Sequence, residues 1–111
     1  MKTQAFRDLC LSLPGAKEKV TWGHPTFRVA NKIFAAHGPD GLWAGIGTDL
    51  PEQAELLSKD PATYRVADYT GRFGWVDVRL ASADPETVER MVRNAWRRRA
   101  PKRLRDAEPR R

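Results

Sequence analysis

Apolar residues recur along this chain with two periods, and the switches between them divide it into elements. In TQAFRDLCLSL, Phe6, Leu9, Cys10 and Leu13 fall at the i, i+3, i+4, i+7 spacing of an amphipathic helix. The pattern predicts a helix over residues 3–13, with Thr3 as N-cap and Pro14-Gly15 as its stop. A polar connector follows. Residues 26–30 and 33–37 then read as two short strands around Asn31-Lys32, a candidate hairpin turn. Gly38-Pro39-Asp40-Gly41 is a strong turn signal, so residues 42–47 become the third strand of a meander.

Asp49, with Glu52 three positions on, has the form of a capping box opening a short helix over residues 50–58. Asp60-Pro61 ends that helix, and residues 64–67 form a candidate strand. Tyr69 to Gly74 is a glycine-bracketed loop feeding WVDVRL, residues 75–80, which alternates cleanly between apolar and polar. The last helix has the strongest signals. Asp84 is a good N-cap and Pro85 suits the first helical position. Val88, Met91, Val92, Ala95 and Trp96 make one apolar stripe, expected to dock on the Val76, Val78 and Leu80 face of the sheet. Arg90, Arg93 and Arg97 make a cationic stripe opposite. Pro101 breaks the helix, and the remainder is polar enough to be disordered.

Helix, meander, short helix, strands and helix amount to an α+β fold. A twisted antiparallel sheet is expected to carry the N- and C-terminal helices on one face and leave the other wet. The length, 111 residues, suits one domain over residues 1–99, with residues 100–111 as a basic, flexible tail.

Charge changes this picture more than composition does. The net charge is +6, but it is segregated. Residues 90–111 hold ten Lys or Arg against two acids, a net +8, which leaves −2 for residues 1–89. A block of this kind suits a polyanionic partner, although basic tails also serve solubility. No stretch approaches the ~18 apolar residues of a membrane span, and the amino terminus lacks the apolar core of a signal peptide. The lone cysteine, Cys10, fits a reducing cytoplasm and is expected to pack as a small apolar residue.

Signals for chemistry are weak. No Walker loop, GxGxxG, HExxH or paired CxxC is present. His24 and His37 lack close companions with metal-ligand spacing, and His24 in WGHPTF is expected to fix a turn. No metal, cofactor or catalytic residue is expected. The sheet faces say more. Alternation places Leu42, Ala44 and Ile46 on the core side, with Trp43, Gly45 and Gly47 opposite. It likewise separates Val76, Val78 and Leu80 from Trp75, Asp77 and Arg79. Trp43, Trp75 and Arg79 thus form a candidate binding face for bases, a peptide or a small ligand. The alternative is that loops or a second copy cover the rings.

LSLPGAKE after the first helix, HPTFRVANKIFAA across the first hairpin, and Trp75 opening a strand after a basic loop resemble the MmcQ/YjbR family. These are small bacterial proteins described as DNA-binding. The resemblance runs through residues 3–97 and leaves the arginine-rich tail outside. It implies a frataxin-like (CyaY-like) two-layer fold, and contact with DNA through hairpins arranged as two wings. Carried over, Lys32 matches the hairpin lysine and Arg72 lies in the loop before Trp75. Many members have a basic-x-His-Trp step there, whereas this chain has Arg72-Phe73-Gly74-Trp75.

The function expected on these grounds is a small, monomeric, non-enzymatic cytoplasmic protein that binds nucleic acid, DNA in preference to RNA, and not a membrane. Phosphates would meet Arg90, Arg93, Arg97, Arg98 and Arg99, with Lys32 and Arg72 contributing from hairpin tips. The alternative is a protein-interaction or small-ligand module working through the tryptophan-bearing sheet face.

Overall fold

Each alternating segment commits one side to a common core. The computed structural model describes residues 1–38 and 40–108. Pro39, within the expected 38–41 turn, and Arg110 and Arg111 of the tail lie outside them. The elements in order are α1 (Thr3–Leu11), β1 (Lys17–Thr21), β2 (His24–Val29), β3 (Lys32–His37), β4 (Trp43–Ile46), α2 (Leu50–Lys59), β5 (Tyr64–Val66), a 3-10 turn (Thr70–Phe73), β6 (Val76–Arg79), α3 (Pro85–Arg99) and α4 (Lys102–Arg105). The six strands form one sheet in the order β1-β2-β3-β4-β6-β5, every neighbouring pair antiparallel.

The fold is the expected α+β arrangement. Phe27, Val29, Ala35, Ala44, Ile46, Val76 and Val78 meet Phe6 and Cys10 of α1 and the Val88, Met91, Val92, Ala95 and Trp96 stripe of α3 in one core. α3 lies over β3 and β4. Between Phe27↔Ala35 and Arg28↔Ile33 the β2–β3 register shifts by one residue, a bulge that turns Phe34 into the core beside Ala35. Trp96 is fully buried, and its Nε1–H donates to Pro14 O at 2.9 Å, pinning the LPG turn to α3. Gly15 follows with φ +70°, and an added Cβ there would stand 2.7 Å from Leu104 Cδ1. The backbone therefore demands glycine, which also leaves room for the Leu104 side chain of α4.

Several local expectations are corrected. α1 is capped by Lys2 without a side-chain bond, and Thr3 instead donates from Oγ1 to Gly41 O at 2.9 Å, tying the helix to the β3–β4 connection. β1 is an added strand in what read as a connector, because an edge strand exposed on both faces carries no clear alternation. The first hairpin turns at Ala30-Asn31, both with positive φ (49° and 64°), which places Lys32 in β3. Leu42 is 64% exposed rather than in the core, because it belongs to the turn, where its N–H bonds Asp40 Oδ1. The carboxylates of Asp49 and Asp84 cap α2 and α3 by accepting from Glu52 N and Thr87 N. Glu52 does not close a capping box; its carboxylate accepts instead from Asn94 Nδ2.

The tail also departs from expectation over its described part. Beyond the break at Pro101 the chain forms α4 and returns, so that Glu108 reaches Arg93 and Arg97 on α3. Local composition missed this because its stabilising pairs come from another element.

Candidate binding surfaces

The five arginines of α3 share a helix but not an environment. Arg90 is exposed, with no ion pair among the described residues. Arg93 pairs with Glu89 at 3.3 Å and with Glu108 at 3.1 Å. Arg97 donates from Nε to Glu108 Oε1 at 2.7 Å. Arg98 pairs with Asp49, the cap of α2, at 3.0 Å. Arg99 donates to Gly47 O at 3.1 Å and Ala95 O at 2.8 Å, and its guanidinium lies 5.3 Å from the Trp75 ring centre. Burial lowers the pKa of Arg99. Gly47 is a condition for this placement, since a Cβ there would overlap the guanidinium. Four of the five are therefore already engaged.

The hairpin cations are freer. Lys32 is exposed at the start of β3. Arg72 is exposed in the 3-10 turn, with its guanidinium 4.8 Å from the Phe73 ring. The antiparallel registers put both at the same end of the sheet, with β4 between the strands they adjoin. Around the β1 edge the structure assembles a set that the sequence reading missed. Lys17, Lys19, Arg28 and Arg103 line one groove of about 590 Å³, closed on one side by Gly15 and Leu104. Among the described residues none of the four has a carboxylate partner, and the groove's one acid, Glu18, pairs with Arg7 at 2.5 Å. The signal available was KEKVT, whose lysines recur with period two as on an edge strand.

The helix-free face carries a second groove, of about 680 Å³. Its floor follows from one cross-strand row, Thr26–Ala36–Gly45–Asp77–Arg65, in which the central pair has almost no side chain. Trp43 and Trp75, both half-buried, wall it. Gly45 lies directly beneath the Trp75 ring, whose nearest carbons stand 3.8 Å from where a Cβ would be, an ordinary packing distance. Arg65 lies over Trp43, 3.7 Å from the ring centre, and pairs with Asp77 at 3.6 Å. The two tryptophans expected on this face are there, each with an arginine of the chain against it. Arg79 stands opposite Trp43 in the β4–β6 pair but faces a different cleft, beside Met1 and Leu80.

Charge separates the two grooves. Among the described residues, Asp40, Asp68 and Asp77 face the second, against Arg65 as the one Lys or Arg in its lining. Burial raises the pKa of Asp77, opposed by the nearby Arg65. His24 begins β2 after the Trp22-Gly23 turn, as expected of a turn-fixing residue, with its Nδ1 buried and without a partner among the described residues. His37 packs against the Phe6 and Phe27 rings, each 5.4 Å away, and burial lowers its pKa. The buried Cys10 thiol is pushed far up, so it is neither a thiolate nor a reachable nucleophile.

A family model described as YjbR matches residues 11–98. Among solved structures the fold is similar to that of Deinococcus radiodurans protein DR2400, of domain DUF419, with a TM-score of 0.78 over 96% of this chain and 86% of that one. At 19% identity that likeness speaks for the fold. The matched span runs from the end of α1 to the penultimate residue of α3 and takes in the LPG turn, the hairpins and the Trp75 strand, so this chain belongs to the YjbR family.

Proposed function

We propose that this protein is a non-enzymatic, monomeric DNA-binding protein of the cytoplasm that contacts phosphates mainly through its β1 edge. The observation carrying this reading is the convergence of Lys17, Lys19, Arg28 and Arg103 on one groove without carboxylate partners among the described residues. Lys32 sits at the adjacent hairpin. Unpaired cations release condensed counterions on meeting a polyanion, whereas Arg93, Arg97 and Arg98 must first leave a carboxylate. The wide major groove of B-DNA admits strands at a sheet edge and the narrow one of A-form RNA does not, which favours DNA. The second groove, with its excess of carboxylates, repels phosphate.

Titration of duplex DNA across a range of salt concentrations tests the assignment. Replacing Lys17, Lys19 and Arg103 together with Ala should flatten the slope of log K against log salt by about 2–3, at ~0.9 per lost phosphate contact. Replacing Arg97, Arg98 and Arg99 together should flatten it by less than about 1. The reverse order would return the binding surface to α3.

A further inference from the structure

The second groove holds two aromatic side chains that the fold itself does not use. Trp22 is 86% exposed and Tyr69 is 94% exposed. Both sit on left-handed backbone. Trp22 has φ +52° in the two-residue β1–β2 turn, whose other member is Gly23 at φ +83°. Asn or Gly are the residues such a turn favours. Tyr69 is more unusual, with φ +61° and ψ −53° and Thr70 N bonded to Asp68 O at 2.6 Å. That is the rare, strained hand of the γ-turn. Strained backbone of this kind concentrates at ligand clamps. Here it projects two rings that bury almost nothing.

The registers place these rings at opposite ends of the strands. Trp22 stands beside the His24 end of β2, and Tyr69 follows β5 at the end where β6 begins. They bound the groove at diagonal corners, with Ala36 and Gly45 as floor and Trp43 and Trp75 between. A bounded groove of about 680 Å³ suits a small molecule rather than a chain running through. Aromatic faces attract cations, and the carboxylate excess selects the same sign. The chain already demonstrates the geometry, since the Arg65 guanidinium is stacked on Trp43 and paired with Asp77.

We propose that this groove binds a small organic cation, an alkylguanidinium or alkylammonium, against Trp43, Trp22 and Tyr69, with Asp77 as counter-ion and Arg65 as a tethered competitor. Arg65 is half exposed at the sheet edge and is free to swing out as the ligand enters. The site shares no lining residue with the β1-edge groove and owes nothing to the DNA reading.

The test uses n-butylguanidinium and n-butylurea, which share a shape but not a charge, titrated at constant ionic strength. Binding is read from the tryptophan indole N–H signals by NMR. Saturable shifts are expected at Trp22, Trp43 and Trp75 and not at the core Trp96, with the urea at least tenfold weaker. Asp77→Asn should weaken binding several-fold. Arg65→Gln should tighten it, because the competitor is gone. Tyr69→Gly relieves the strained backbone, so it should raise or preserve Tm while weakening binding several-fold. Equal affinity for the urea, no saturable shift, loss of binding in Arg65→Gln, or unchanged binding in Tyr69→Gly would each overturn the proposal. Acetyl-Gly-Arg-Gly-amide binding more than tenfold tighter than n-butylguanidinium would also overturn it, by making a partner's arginine the occupant.

Discussion

Removal of the Trp96 side chain is the most informative perturbation of the fold, because two separable terms meet at that residue. The ring is fully buried in the core shared by α1, the sheet and α3, and it bonds the LPG turn as well. A tryptophan buries roughly 150–250 Å², which at ~25 cal/mol per Å² is about 4–6 kcal/mol of transfer free energy. A compact unfolded chain lowers that figure, and the remaining methyl of Ala recovers part of it, so Trp96→Ala should cost about 3–5 kcal/mol. Trp96→Phe keeps a six-membered ring but removes the donor to Pro14 O. Its loss should be smaller, about 1–3 kcal/mol, the cost of a stranded carbonyl plus a small void. Urea titration checks both. With a slope of ~2 kcal/mol per molar, Trp96→Ala should move the midpoint down by about 1.5–2.5 M. A loss below about 1 kcal/mol in Trp96→Ala would refute the packing of α3 described above. Equal losses in the two variants would refute the separation of packing from hydrogen bonding.

Two further tests address other elements. Burial lowers the pKa of His37, with a smaller opposing influence from Glu18 and smaller lowering ones from Arg7 and His24. The unfolded chain then takes up a proton that the folded chain refuses, so stability should fall as pH drops below about 6.5. The fall should be at most one proton's worth, about 1.4 kcal/mol per pH unit, and His37→Gln should remove that component in urea titrations at pH 7 and pH 5. Gly74 has φ +101°, and a Cβ there would stand 2.5 Å from Asp49 C, so Gly74→Ala should cost more than about 2 kcal/mol by thermal or urea unfolding.

Periodicity and caps carried much of the architecture in the sequence alone. The α3 stripe, its Asp84-Pro85 start, the Asp49 cap of α2 and the alternation of WVDVRL all specify structure within a few residues. Short-range steric and hydrogen-bonding preferences act whatever the rest of the chain does. The hairpin and LPG motifs placed the family for a similar reason, since turn geometry demands particular residues at fixed offsets. What the arginines face was decided elsewhere. Arg98 meets Asp49 across 49 positions and Arg99 meets Gly47 across 52. A charge block read along the chain therefore overstates the cations available on the surface. The β1 edge was hidden because a strand that buries neither face needs no apolar alternation. The acidic aromatic groove exists because antiparallel registers bring Ala36, Gly45 and Asp77 into one row, and Trp22 and Tyr69 to its corners. Local preference names the elements, but only pairing across the sheet determines which side chains share a surface and what charge that surface presents.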